Sequence, residues 1–441
     1  MRLNQPIFLG AFVVLSATFG TGCKRVWAAG ANVNSTNLVN GTRVVLIHFP
    51  ASTNVSVFAF LPMGLTSDEP GQAQWSHLIE HLVIRSTMPA DSPQANAETL
   101  PDHMRLDFYG NTANWQEGLS HLRRWLEGVP FTEASLTAEK PKVIAECDFT
   151  ARNLATHKFA VAAWSQGFRH GTKHVALKGD VTKAALAEVQ RLRDGRLAVS
   201  NKVTVCVVGG AEAKVVIAEV EKQFGGLHLQ GNLPLASRVI STNLDLTWDL
   251  EARHLLLTWA IPDFRQADHA ALMVAAQALN MQFFSDAELK RQTGMIYAGA
   301  DLATPEGNFF FISASLRPGT EVEAVRNEIL SQVERLATGA NGTPKAALIG
   351  RQLSAALTGV PDPQRMKSQM PAGMTLAMLE GNLGLQAGVN AHRYAEHRTV
   401  LAQQLTEVSP GNVQQAARVH LSQTKAVFCI LRPEATAGEK R

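Results

Sequence analysis

The hydrophobic pattern changes period along this chain, and the changes mark out its elements. "RVVLIHF" at 43–49 and "NVSVFAFLPMG" at 54–64 are dense in β-branched and aromatic residues and read as strands. "WQEGLSHLRRWLEGV" at 115–129 instead places Trp115, Leu119, Leu122, Trp125 and Leu126 at helical intervals. Strand-like runs return at "VTVCVVGG" (203–210), "HLLLTWAIP" (254–262) and "AVFCILRP" (426–433). Strand and helix patterns interleaved in this way predict an α+β fold.

A weak repeat sets the domain count. "RLAVSNKVTVCVVGG" (196–210) resembles "RVHLSQTKAVFCILRP" (418–433): a polar turn, a lysine, then a β-branched run carrying Cys206 or Cys429. Each stretch would be the last strand of a domain of roughly 200 residues, an ordinary size. Upstream, "HLLLTWAIP" can play the part that "NVSVFAFLP" plays in the first half. The expectation is two similar α/β-roll units in tandem, each a mainly antiparallel sheet packed with helices. They cover 37–227 and 246–435, with the polar, proline-containing stretch 228–245 as linker.

The first residues read as an export signal, 1–28. Arg2 is followed by an apolar core from Ile7 to Leu15 and by small residues at Gly20–Gly22 and Ala28–Ala29. Cleavage near Ala28 would release a soluble periplasmic or extracellular protein, whereas a lipid on Cys23 would anchor it to a membrane. Removing 1–28 takes away Arg2, Lys24 and Arg25 and no acid, so the +3 of the whole chain falls to neutral. No nucleic-acid partner is expected from that balance. The same cut leaves Cys147, Cys206 and Cys429, an odd number that implies no disulfide framework, and the last two sit in apolar, strand-like runs.

The candidate chemistry lies in "HLIEH" at 77–81. On a helix His77, Glu80 and His81 share one face while Leu78, Leu82 and Ile84 turn toward a core. Two neutral imidazoles one turn apart can grip a zinc ion, a catalytic zinc takes three protein ligands and keeps a fourth place open, and a glutamate between the histidines is placed to take a proton from water. The motif is short enough to arise by chance on an ordinary amphipathic helix, so a third ligand is the discriminating demand. "EKPKVIAE" supplies Glu139 and Glu146, two helical turns apart. Glu146 could be that ligand, and Glu139 an acceptor for a ligand histidine. Such a pair is more often a solvated helix face, but Val143, Ile144 and Ala145 predict a buried helix on which an unpaired carboxylate would be costly. His103, His121, His157, His170 and His174 are left as ordinary surface or core histidines.

These residues together resemble the pitrilysin/insulinase family of zinc metallopeptidases, the inverted zincins with H-x-x-E-H, in its short two-unit form. "HLIEHLVIRST" is similar to the family's motif helix, and "NAETLPD" (Asn96, Ala97, Thr99, Asp102) to its N-A-x-T-x-x-D segment. Glu139 and Glu146 match its E-x6-E helix, and "LKRQTGMIYAGA" (289–300) is similar to a segment whose arginine and tyrosine contact bound peptide. The resemblance implies zinc on His77, His81 and Glu146, Glu80 as general base, Glu139 supporting the ligands, and peptide contacts from Asn96, Ala97, Lys290, Arg291 and Tyr297. It also implies a zinc-dependent endopeptidase acting on peptides or unfolded segments. Four units would be assembled by pairing two chains, most simply as a homodimer, with a heterodimer with a sister subunit as the alternative.

Two departures bear on activity. The segment 88–95 is short, with Ser92–Pro93 where the family has paired glycines ahead of an edge strand that pairs with substrate, and Lys290 stands where the family has arginine. They keep open a second reading from another class: a non-catalytic structural or peptide-holding subunit.

Overall fold

The computed structural model describes residues 31–433 except 62, 66–67, 69–70, 89–91, 93, 101–102, 154–177, 198–202, 228–242, 249–251, 305–306, 341–344, 368–369 and 371. The predicted export signal with Cys23, most of the predicted linker, Pro93, Asp102, His157, His170 and His174 lie outside the described residues.

The first half runs β1 (Ala31–Asn32), β2 (Asn34–Asn37), β3 (Arg43–His48), β4 (Asn54–Leu61), α1 (Trp75–Arg85), β5 (Ala95–Thr99), β6 (Met104–Asn111), α2 (Trp115–Glu127), α3 (Glu133–Asn153), α4 (Lys178–Lys183), α5 (Leu186–Leu197), β7 (Thr204–Gly209) and α6 (Ala213–Phe224). The second half runs β8 (Leu244–Trp248), β9 (His254–Ile261), α7 (Ala267–Ser285), α8 (Ala287–Gln292), β10 (Thr293–Thr304), β11 (Gly307–Leu316), α9 (Val322–Thr338) and α10 (Ala346–Thr358). It continues through β12 (Gly359–Val360), α11 (Pro363–Met366), α12 (Leu376–Tyr394), α13 (Arg398–Glu407), α14 (Pro410–His420) and β13 (Val427–Pro433).

The six-stranded first sheet has the order β2-β3-β7-β4-β6-β5, and the five-stranded second sheet the order β10-β11-β9-β13-β8. Taken from its other edge, the second sheet repeats β3-β7-β4-β6-β5 strand for strand. In each, the last strand of the half lies parallel to the first of the set, β7 on β3 and β13 on β8, and the remaining pairs are antiparallel. This is the expected α+β architecture of antiparallel-rich sheets packed with helices. The Cys206 and Cys429 strands occupy equivalent places, and both thiols are buried.

Both faces of the middle of the first sheet are covered, which is why β3, β4 and β7 read as nearly continuous apolar runs. Val44, Leu46, Val55, Val57, Ala59, Leu106 and Phe108 pack against Leu78 and Leu82 of α1 and Leu119, Leu122 and Trp125 of α2. Val45, Ile47, Phe58, Phe60, Cys206 and Val208 point the other way, onto Leu385, Ala387 and Ala391 of α12. The tandem arrangement is therefore interlocked, because a helix from the second half closes the back of the first sheet. Its approach needs glycine: a Cβ on Gly384 would lie 2.3 Å from a Val208 methyl, and one on Gly388 would lie 2.9 Å from the Phe60 ring.

Candidate metal centre

Helix α1 starts from an unusual turn. Gln74, immediately before it, has φ 68°, one of two non-glycine residues with positive φ among the described residues. Buried contacts hold this turn on both sides. Asp180 of α4 accepts from the Ala73 N–H and, through its carbonyl, from the Trp75 indole, and Asp68 accepts from the Ser76 N–H and hydroxyl. Leu78, Ile79, Leu82 and Val83 then bury one face of α1, which turns His77 and His81 toward α3.

Across from them Glu146 brings Oε2 to 3.3 Å from His77 Nε2 and 3.5 Å from His81 Nε2. Each imidazole is engaged at its other nitrogen, His77 Nδ1 with Gln74 Oε1 at 3.0 Å and His81 Nδ1 with Glu139 Oε2 at 3.0 Å. With Nδ1–H donating to these oxygens, Nε2 is the nitrogen each ring turns toward Glu146, where it can give its lone pair to a metal that displaces any proton there. Glu139 is itself fixed by Lys142 Nζ at 2.7 Å, with Arg85 Nε at 3.6 Å. Glu80 is buried and its Oε2 accepts from the Thr99 hydroxyl at 2.6 Å, tying the motif helix to the edge strand β5.

The electrostatics favour a cation. Burial works against charge on His81, but hydrogen bonds to Glu139 and Glu146 and the field of Glu80 outweigh it and raise its pKa to about 10. Burial would likewise raise Glu146, yet its hydrogen bonds to His77 and His81 hold the carboxyl well below its usual range. Glu139 is also lowered, by His81 and Lys142 against the cost of burial. The donor set fits zinc on chemistry and on spacing. Donors arranged tetrahedrally at the usual zinc distances lie roughly 3.3 Å apart, close to the two separations above. The ligand atoms of His77, His81 and Glu146 all fall within 4.8 Å of one another, and they form the one such group among the described residues.

The structure thus brings His77, His81, Glu146, Glu80 and Glu139 together, on α1 and α3. The burial expected for this helix holds at Glu139 and Val143 but not along its length: Ile144 is half-buried, Ala145 is exposed and the Glu146 side chain is 46% exposed. A water-accessible carboxylate is what an open metal site needs, so it is the exposure of Glu146 that suits it to that role. Asn96 and Ala97 lie on β5, which among the described residues pairs only with β6 and forms an edge of its sheet. Lys290 and Arg291 lie on α8 and Tyr297 on β10, the equivalent edge strand of the second sheet. Lys290 Nζ sits 4.6 Å from the centre of the Phe284 ring, Arg291 pairs with Glu288, and Tyr297 packs on Phe311. Sequence reasoning missed Gln74, and it quoted Thr99 without giving it a role.

Residues 197–345, about a third of the chain, match the family model described as Peptidase M16 inactive domain. No curated protein matches. Among solved structures, a protease from Helicobacter pylori aligns with a TM-score of 0.72 and 16% identity over 91% of this chain and 100% of its own. A peptidase M16 inactive domain from Pseudomonas fluorescens aligns with 0.63 and 15% over 92% and 98%. The periplasmic protease PqqL from Escherichia coli aligns with 0.58 and 17% over 91% of this chain and 47% of that one. At such identities the likeness speaks for the fold: this chain has the architecture of M16-like peptidases, and its 197–345 stretch corresponds to that family's inactive domain.

Proposed function

We propose that the chain is an M16-like, zinc-dependent endopeptidase that holds an extended peptide along the outer edge of β5. The observation that carries the reading is the convergence of His77 Nε2, His81 Nε2 and a Glu146 oxygen, with both histidines already held through Nδ1. His77, His81 and Glu146 would hold the zinc, which when bound supplies a Lewis acid and a water acidified toward neutral pH. Glu80 takes the proton from the attacking water and returns it to the leaving amine nitrogen. Thr99, by donating to Oε2, fixes the carboxylate and leaves its second oxygen to accept. The N–H and C=O groups on the edge of β5 away from β6 bind peptide backbone as an added strand.

A second reading, a non-catalytic peptide-holding subunit, is favoured by the comparisons, since the matching family model and one similar structure are described as inactive domains. The matched stretch begins downstream of Glu146 and contains none of the proposed ligands, so it bears on the second half more than on the metal centre. Export is part of the proposal, supported by the apolar segment after Arg2 and by the periplasmic location stated for one similar protein. Among the described residues no helix is long and apolar enough to cross a membrane.

Metal analysis and cleavage of long, unfolded polypeptides by the purified protein test the proposal together. About one zinc per chain, with cleavage abolished by chelation and restored by zinc, is the expected result. Full zinc with no cleavage of any substrate would establish the non-catalytic subunit instead.

A further inference from the structure

The two histidines of the centre are held by different chemistry, a carboxylate for His81 and a neutral carboxamide for His77. We infer that Gln74 is a positioning residue for the metal centre, fixing His77 as the Nδ1–H tautomer so that Nε2 faces Glu146. The inference rests on the zinc site proposed above. Gln74 Oε1 lies 3.0 Å from His77 Nδ1, and the residue reaches that position from a left-handed backbone (φ 68°) while making no side-chain cap to α1. A strained non-glycine conformation persists where its surroundings over-determine it. Here Asp180, the Trp75 indole and Asp68 clamp the residues on either side. The Gln74 carbonyl accepts from the Leu78 N–H at 2.9 Å and opens the helix, while its side chain makes no cap and is spent on the contact with His77. Gln74 is half-buried three residues ahead of His77, and its carboxamide oxygen engages the ring nitrogen other than the one beside Glu146. A carboxamide there orients the ring without adding a further negative charge to a centre that already has Glu80, Glu139 and Glu146.

The test uses the mature protein, stripped of metal, with zinc affinity read by competition against a chromophoric chelator. Gln74→Gly suits the backbone and deletes the acceptor, and Gln74→Met keeps side-chain length and deletes it. Each is expected to weaken zinc binding about 10- to 100-fold, the usual effect of losing such a partner, with the thermal stability of the stripped protein unchanged in the glycine variant. Gln74→Glu retains the acceptor and is expected to bind zinc at least as tightly as wild type. In zinc-loaded protein labelled with 15N-histidine, the His77 Nδ1–H should give a slowly exchanging imidazole proton that disappears in Gln74→Met. Wild-type affinity in both deletion variants, or an unchanged His77 proton in Gln74→Met, would overturn the role of Gln74 and leave the site standing. A wild-type protein that binds no zinc would overturn the site itself, and this inference with it.

Discussion

At the scale of single residues, the account depends on which nitrogen and which oxygen each group presents. Glu139 holds His81 Nδ1 at 3.0 Å and is in turn held by Lys142. Glu139→Gln keeps an acceptor but removes the charge that stabilises the ring, and Glu139→Ala removes both. Zinc affinity should therefore fall in the order wild type, Gln, Ala, with the alanine variant about 10- to 100-fold weaker, as titration against a competing chelator would show. Proton linkage gives a second expectation. With the pKa of His81 at about 10 in the folded, metal-stripped protein, against about 6.5 unfolded, its charged form contributes stability fully below about pH 6.5, and that contribution is lost as the pH rises through 10. Zinc must displace that proton, so binding at neutral pH should release close to one proton from His81. Calorimetry in buffers of different ionisation enthalpy measures this directly, and binding with no proton release would contradict the charge assignment.

At the scale of elements, much was legible because period and burial agree. The strands β3 and β4 lie where the apolar runs put them, and Trp115, Leu119, Leu122, Trp125 and Leu126 of α2 are all buried. The i, i+3, i+4 spacing of His77, Glu80 and His81 likewise survives into the structure, since helix geometry alone decides it. What was not legible depends on partners distant in sequence. Gln74 carries no turn signature, and its left-handed backbone is imposed by Asp68 and by Asp180, more than a hundred residues away. The same holds for α12, whose glycines at 384 and 388 make sense only once Val208 and Phe60 are known to lie beneath them. Filling that space should separate the halves: Gly384→Val, with its Cβ only 2.3 Å from Val208, is expected to cost about 1–3 kcal/mol by overpacking. Denaturant unfolding would measure the loss, while zinc affinity, set on the other face of the first sheet, should persist. An unchanged midpoint would mean that the interlocked face contributes little.

At the scale of the whole molecule, two units of one topology bring together one group of candidate metal ligands among the described residues, and the second half offers Lys290 and Arg291 on α8 and Tyr297 on β10. The ligands lie on α1 and α3 of the first half, so a peptide touching both groups would reach across the two halves. We expect two chains to pair, most simply with each other, and sedimentation should give about twice the mass of one chain. A monomer that cleaves long substrates at full rate would remove the need for pairing, and activity gained only with a second gene product would select the heterodimer. The central claim is that the site hydrolyses peptide bonds with Glu80 as the base, and Glu80→Gln tests it most directly when zinc content and cleavage of a long unfolded polypeptide are measured on the same sample. The substitution keeps an acceptor for the Thr99 hydroxyl but cannot take the proton. The account predicts one zinc per chain, an unchanged fold and a rate lower by about 10² to 10⁴. Cleavage at the wild-type rate in the zinc-loaded variant would contradict it.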